Sequence, residues 1–309
     1  MIERTIQKVG GSSYTVTLPK FWIKKHGIGK GSKVLIEEGV GGALIITPAK
    51  PRELAVAKVI HEDVHATARK IFAAYLEGYD VIEVIGRPLI KSIDRKEIKK
   101  ALLRLPGLEI VEEDSGRIVL KCVLNPSMLE PWMLFERMKK LVSSMMEDLL
   151  KAAKKGDAEL ASLVIDRDDE VDRAYFLLVR VVRKTSQDAY LMRMLKIDPV
   201  QLIDLRVASM LLEVVADRLA ELAELLSSGS QMTYIPKKMG SMLLELQRIS
   251  VESVIRKDIS LAVEGKEKAQ KLLKMISEEL VKSKTEPGVL FALREVIARL
   301  GDLCDLVSL

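Results

Sequence analysis

Apolar residues recur at steps of three and four through most of the second half of the chain, and that period predicts helices. Six long amphipathic segments follow one another with short breaks, at residues 131–156, 157–185, 198–229, 234–258, 259–284 and 286–309. Short breaks make successive helices antiparallel neighbours, so the pattern predicts a tandem of three-helix bundles, 131–229 and 232–309. Met145 and Met146, and the stretch from Met192 to Met194, read as filler of the bundle core. The first fifty residues follow a different rule. RTIQKV, YTVTL, KVLIEE and ALIITP read as strands, separated by GGSS, GKGS and GVGG turns and by a short helix from Pro19 to His26. Residues 52–125 then read as a small α+β unit bordered by Pro51 and Pro126. It comprises a helix over RELAVAKVIHEDVHATARKIFAAYLEG, a strand YDVIEVIG and a helix SIDRKEIKKALLRL started by Ser92 or Asp94. A hairpin, GLEIVEE with RIVLKCVL, closes it across Asp114-Ser115-Gly116.

Composition agrees with folded domains: the 309 residues are 48% hydrophobic and 30% charged, enough for two or three ordinary cores. No apolar run approaches the roughly 18 residues that span a bilayer, and MIERTIQKVG has no hydrophobic signal region. A cytoplasmic location without membrane insertion is the expectation. Cys122 and Cys304 fit no metal-ligand spacing and read as reduced, partly buried small hydrophobes.

Charge alters the picture once it is located. Residues 1–50 hold eight basic side chains against three acidic ones, while the remainder is balanced at 41 of each, so the whole net charge of +5 lies in the strand-rich segment. Such a segment attracts a polyanion. Four strands in fifty residues also leave sheet faces uncovered, which predicts pairing with a second copy. The Gly10-Gly11-Ser12 turn, the Thr17-Leu18-Pro19-Lys20 step, the Gly29-Lys30-Gly31-Ser32 turn and the closing Leu44-Ile45-Ile46 give this segment its pattern. On those residues it resembles the SpoVT-AbrB swapped-hairpin domain almost end to end. The resemblance implies an intertwined homodimer holding double-stranded DNA through Arg4, Lys8, Ser12, Ser13 and Lys20, flanked by Lys24 and Lys25. These would be phosphate contacts, with Arg4 the type best suited to a base edge.

His61-Glu62-Asp63-Val64-His65 fits the H-E-x-x-H pattern of zinc proteases, in which two histidines one helical turn apart hold the metal. Within the predicted helix the apolar stripe runs through Ile60, Val64, Ile71 and Tyr75, leaving both histidines at its margin. No third ligand has a supporting motif. No nucleophile-base arrangement or phosphate-cradling glycine loop appears either, so no catalytic residues are assigned and an enzyme is not expected.

One stretch of the bundle breaks its own rule. In VIDRDDEVDR, Asp168 and Asp172 stand one turn apart on the stripe of Val164, Val171, Tyr175 and Leu178, whereas Asp166 and Asp169 read as surface charge. In LLEVVAD, Glu213 and Asp217 repeat that spacing amid Leu212, Ala216 and Ala220. A carboxylate on a core-facing stripe needs a cation, a hydrogen-bonded setting or water. Facing each other in one bundle, the four acids suit a hard divalent or trivalent ion such as Fe, Mn, Mg or Zn. The alternative is pairing with bundle arginines such as Arg206, Arg180 or Arg218. These acid-x-x-x-acid motifs on successive helices resemble those of the PhoU family over roughly residues 132–309. The resemblance implies a phosphate-signalling regulator that acts with a phosphate transporter and its signalling kinase, with metal held at those motifs. The second repeat departs from the pattern: Ala298 replaces the acid four residues before Asp302, and Lys268 follows Glu264. A metal cluster is therefore expected once per chain.

The expected architecture is multi-domain. An N-terminal swapped-hairpin β-barrel (1–50) leads to a small α+β middle domain (52–125) and a C-terminal all-α tandem of three-helix bundles. The combination resembles archaeal-type phosphate uptake regulators: a DNA-binding transcriptional regulator whose helical part binds metal or a partner protein, with no organic cofactor. The alternatives are an accessory protein of the transporter or kinase that uses its N-terminal domain only to dimerise, and, more remotely, a zinc hydrolase at HEDVH.

Overall fold

The structure is a computed structural model that describes residues 2–39, 42–49, 54–227, 235–282 and 285–307. The chain divides into two compact units, Met1–Glu53 and Leu54–Leu309, each described by itself. The expected borders at residues 50–52 and 229–232, and Val40 and Gly41 of the GVGG turn, lie outside the described residues.

The first unit holds two antiparallel hairpins, β1 (Gln7–Val9) with β2 (Ser13–Thr15) and β3 (Val34–Glu38) with β4 (Leu44–Pro48), and the short helix α1 (Lys20–Lys25) between them. Gly10, at φ +68°, provides the left-handed step that reverses the chain between β1 and β2. Only Ile28 is buried among the described apolar residues of this unit, while Ile6, Tyr14, Phe21, Ile36 and Leu44 are more than half exposed. Fifty residues arranged as two separate ribbons have too little interior to cover these side chains.

The second unit joins an α+β layer to a helical bundle. The layer runs β5 (Val56–Ile60), α2 (Val64–Glu77), β6 (Val81–Ile85), α3 (Ser92–Leu102), β7 (Leu108–Glu113) and β8 (Arg117–Cys122). Its sheet has the order β5-β6-β8-β7, with β5 parallel to β6 and the other pairs antiparallel. The hairpin expected across Asp114-Ser115-Gly116 is present: the Asp114 Oδ1 atom accepts from the backbone N–H groups of Gly116 and Arg117 at 2.8 and 3.0 Å. The single helix expected from residue 52 to 78 is corrected. Its first part is strand β5, because Val56, Val59 and Ile60 find a parallel partner in Val81–Ile85, and Asp63 restarts the chain as a helix by accepting from the Ala66 N–H at 2.9 Å.

The bundle consists of α4 (Pro131–Lys155), α5 (Ala158–Ser186), α6 (Ala189–Met194), α7 (Pro199–Ser227), α8 (Lys237–Arg256), α9 (Ile259–Lys282) and α10 (Pro287–Cys304). α4, α5 and α7 pack as one three-helix group and α8, α9 and α10 as another, joined through α7 against α10 and α4 against α8. Met145 and Met146 lie in the core; Met194 does not, because it sits in the short helix α6 with its side chain about half exposed. Gly265 on α9 is required by packing: a Cβ there would lie 2.5 Å from the Cys304 Sγ atom on α10.

Layer and bundle are locked along α5. Phe72 on α2 meets Phe176 on α5 edge to face at 4.6 Å, a contact of about 0.5–1.5 kcal/mol beyond its burial. One turn further on, buried Arg180 donates to the carbonyls of Tyr75 (2.6 Å) and Tyr79 (2.7 Å). Buried Lys184 donates to the Gly78 carbonyl at 3.3 Å and pairs with Asp80. Two cations from α5 thus cap the carbonyl end of α2, where a helix carries unpaired acceptors and partial negative charge. Gly78, at φ +91°, ends α2 with a Cβ position only 3.3 Å from Lys184, so a side chain there would be strained twice.

Candidate functional site

On the hairpin unit, Arg4, Lys8, Ser12, Ser13, Lys20, Lys24 and Lys25 are all exposed. Lys8 and Ser13 lie on paired strands of one ribbon, Ser12 lies in its turn, and Lys20, Lys24 and Lys25 lie on α1. Arg4 lines a small cleft with Gln7, Thr15 and Thr17. Exposed cations and hydroxyls on a ribbon and an adjoining helix are free to donate to phosphate oxygens.

The H-E-x-x-H string does not form a metalloprotease helix. His61 ends the β5 ladder, its N–H donating to the Ile85 carbonyl at 2.8 Å, whereas His65 lies in the first turn of α2 and is exposed. The His61 ring is already engaged, with Nδ1 2.9 Å from the Thr67 Oγ1 atom and Nε2 3.3 Å from Asp94 Oδ2. Glu62 pairs with Lys70 at 2.7 Å on the surface. The two histidines are not one helical turn apart, so the motif lacks the geometry that gave it meaning.

The acids of α5 and α7 do converge. Asp172, Glu213 and Asp217 each place a carboxylate oxygen within 4.8 Å of the other two, with Asp172 buried and the others half-buried. Asp168, one turn before Asp172, stands outside that trio yet shares its field. Asp166 and Asp169 are exposed. Burial, then the negative charges of Asp217 and Asp172, push the Asp168 carboxyl up to about 7. Glu213 is pushed up to about 7 by burial and by Asp217, Asp172 and Asp168. Asp217 is raised by burial and by Asp172. Acids this close on a part-dry surface cannot all carry charge without a compensating cation.

None of the arginines anticipated for that role ion-pairs with the cluster, although the charges of Arg206 and Arg218 act on Glu213 and Asp217 from nearby. Arg180 caps α2, Arg206 lies over the Tyr175 ring at 5.2 Å, and Arg218 pairs with Glu221 at 2.5 Å. The cation that forms an ion pair with the cluster is Arg104, from the turn after α3, on Asp172. Nothing in the local spacing pointed to it, because it lies in another layer of the fold. In the second repeat, Lys268 pairs with Glu245 at 2.6 Å and Asp302 with Arg299 at 2.8 Å, so those acids already have their counter-charges.

Three oxygen donors within one ion's reach, with too little positive charge beside them, fit a hard cation in donor chemistry and in electrostatics. Asp172, Glu213 and Asp217 would hold it.

Helices α5 and α7, which carry this cluster, and α4 beside them are also where sequence similarity is found. Residues 135–226 match the model of the PhoU domain. Residues 7–54 match the model described as antidote-toxin recognition MazE, bacterial antitoxin. The chain therefore carries a MazE/AbrB-like segment near one end and a PhoU domain beyond the α+β layer, and the acidic cluster lies inside the PhoU domain. No curated protein matches the chain in sequence. Among solved structures, it is similar to the phosphate transport system regulatory protein PhoU from Streptococcus pneumoniae, at 17% identity and a TM-score of 0.46, covering 58% of this chain and 91% of that one. It is also similar to PhoU from Pseudomonas aeruginosa, at 18% identity and a TM-score of 0.42, covering 59% of this chain and 95% of that one.

Proposed function

We propose that the protein is a DNA-binding regulator of phosphate uptake, in which the hairpin unit pairs with a second copy and grips duplex DNA while the PhoU domain receives the signal. The observation that carries this reading is the presence, on one chain, of a MazE/AbrB-like segment bearing exposed Lys8, Lys20, Lys24 and Lys25, with exposed Arg4 just before it, and a PhoU domain. The uncovered apolar side chains of the hairpin unit support the pairing. The acidic cluster supports a metal ion as part of the signal: bound by Asp172, Glu213 and Asp217, it would neutralise the repulsion that raises their pKa values.

The test is a gel shift of the full chain with its own promoter DNA, titrated with salt, together with recovery of bound genomic DNA from cells at high and low phosphate. The reading expects binding that weakens as a power of salt concentration and an occupancy that responds to phosphate. Absence of duplex binding would leave the hairpin unit a dimerisation device and favour an accessory protein of the transporter or kinase. Binding indifferent to phosphate would remove the sensing role.

A further inference from the structure

The acidic cluster has a cation of its own, and it comes from outside the bundle. Arg104 sits in the turn between α3 and β7, with its guanidinium on the Asp172 Oδ2 atom and its Cζ 5.5 Å from the centre of the Phe176 ring. Among the described residues, this is the only ion pair made by Asp168, Asp172, Glu213 or Asp217. The two ends of the pair differ sharply in exposure: the Asp172 side chain is 11% exposed and that of Arg104 is 54% exposed. The carboxylate is fixed in the bundle, while the arginine reaches it from water and can return there without a desolvation cost. Elsewhere the turn carrying Arg104 is held by the Leu103 carbonyl, which accepts from Arg173 at 2.7 Å, the Pro106 carbonyl, which accepts from the Tyr75 hydroxyl at 2.9 Å, the Gly107 carbonyl, which accepts from the Val123 N–H at 2.8 Å, and by buried Leu105.

We propose that Arg104 is a tethered, displaceable counter-ion: it holds Asp172 while the cluster lacks metal, and a hard divalent ion bound by Asp172, Glu213 and Asp217 expels it and loosens the 103–107 turn. The proposal rests on the metal reading above and adds its regulation. The guanidinium and the ion want the same carboxylate. An ion held by Asp172, Glu213 and Asp217 would have to share the Asp172 carboxylate with Arg104. Two positive charges against one buried carboxylate repel, and the half-exposed partner is the one free to leave. Metal occupancy and seating of the turn are then linked reciprocally: whatever favours one opposes the other by the same factor. Because the turn joins α3 to β7, the linkage connects the PhoU domain to the α+β layer.

The experiment uses the chelator-stripped full chain, with Mn2+ as the probe in calorimetric titrations. Arg104→Gln keeps a polar, exposed side chain and removes the competing charge; it is expected to bind Mn2+ about 10-fold more tightly than the wild type, within the usual range of coupling between sites. Arg104→Lys, which keeps the charge without the planar fork, is expected to fall between them. Hydrogen exchange of residues 103–107 in the wild type should quicken on adding Mn2+. Equal or weaker Mn2+ binding by Arg104→Gln, or exchange at 103–107 that ignores bound Mn2+, overturns the proposal. An Asp217→Asn variant separates the two readings. If wild type binds Mn2+, Asp217→Asn does not, and Arg104→Gln matches wild type, the metal site stands and the counter-ion role falls. If neither wild type nor Arg104→Gln binds Mn2+, both fall.

Discussion

Raising the pH of the metal-free protein from 5 to 8 is expected to weaken the bundle, against the trend of most acidic groups in folded proteins. Asp168 moves from an ordinary 3.8 to about 7 and Glu213 from 4.5 to about 7, and Asp217 is raised with them. Between about pH 4 and 7 the folded chain therefore holds protons that the unfolded chain has released, and stability falls as pH rises through that window. Below pH 4 the acids are protonated in both states and the penalty vanishes; above about 7.5 it is complete. One carboxyl displaced this far corresponds to about 4 kcal/mol if nothing damped it. The groups are only half-buried and their repulsion is shared, so a total of about 1–3 kcal/mol is the realistic size. Groups with lowered pKa values, among them Glu113 with its lysine and arginine partners and Asp148 with Arg167 and Lys151, act in the opposite sense. Their contribution is lost only as pH falls below about 4, so the window from 5 to 8 isolates the cluster. Urea unfolding followed by helical circular dichroism in chelator, at pH 5 and 8, measures the effect. Glu213→Gln should reduce the difference and leave the part owed to Asp168 and Asp217, and Mn2+ added at pH 8 should restore the loss. A wild-type difference within about 0.5 kcal/mol, the scatter of a neutral surface substitution, would refute the electrostatic account.

Asp217→Asn is expected to lower Mn2+ affinity by at least about 10-fold, while Asp169→Asn, on the exposed side of α5, leaves it unchanged in the same titration. The double substitution Lys24→Ala with Lys25→Ala should weaken duplex binding and reduce the slope of log affinity against log salt by about 2, as two lost phosphate contacts require in a gel-shift series. Gly265→Ala should destabilise the bundle by about 1–3 kcal/mol in urea titration, although alanine is the better helix former, because its methyl group meets Cys304; Cys304→Ala in the same chain should recover part of that loss.

The helices of the bundle were legible because one signal determined them. A 3.6-residue apolar period lasting eighteen residues or more has no competing interpretation, and α4, α5, α7, α8, α9 and α10 follow it. The same signal marked Asp168, Asp172, Glu213 and Asp217 as inward on two helices, since a four-residue step fixes a face, and three of the four converge. It misled where tertiary pairing decides. Val56, Ala57 and Ile60 fit a helical stripe as well as a strand, and only the presence of β6 as a parallel partner makes them β5. The H-E-x-x-H pattern disappeared with that error, because its meaning depended on both histidines sharing one helix.

The placement of the arginines marks a deeper limit, and it has a physical cause. A side chain's spacing gives its direction from its own helix but not what it meets. Arg180 and Arg104 are both cations near acidic α5, and the sequence pointed to Arg180, together with Arg206 and Arg218, because they share the bundle with Asp172. Arg180 lies instead against the end of α2, where the Tyr75 and Tyr79 carbonyls accept its N–H groups at 2.6 and 2.7 Å. A buried guanidinium there is held by fixed dipoles that cannot move away, so it is structural. Arg104 approaches a carboxylate from solvent and is backed by one aromatic face, so its position depends on what else the carboxylate holds. Of the two cations, the one that sequence overlooked is therefore the one whose contact a metal ion can change, and the cation at α2 keeps the layer and the bundle together while it does so.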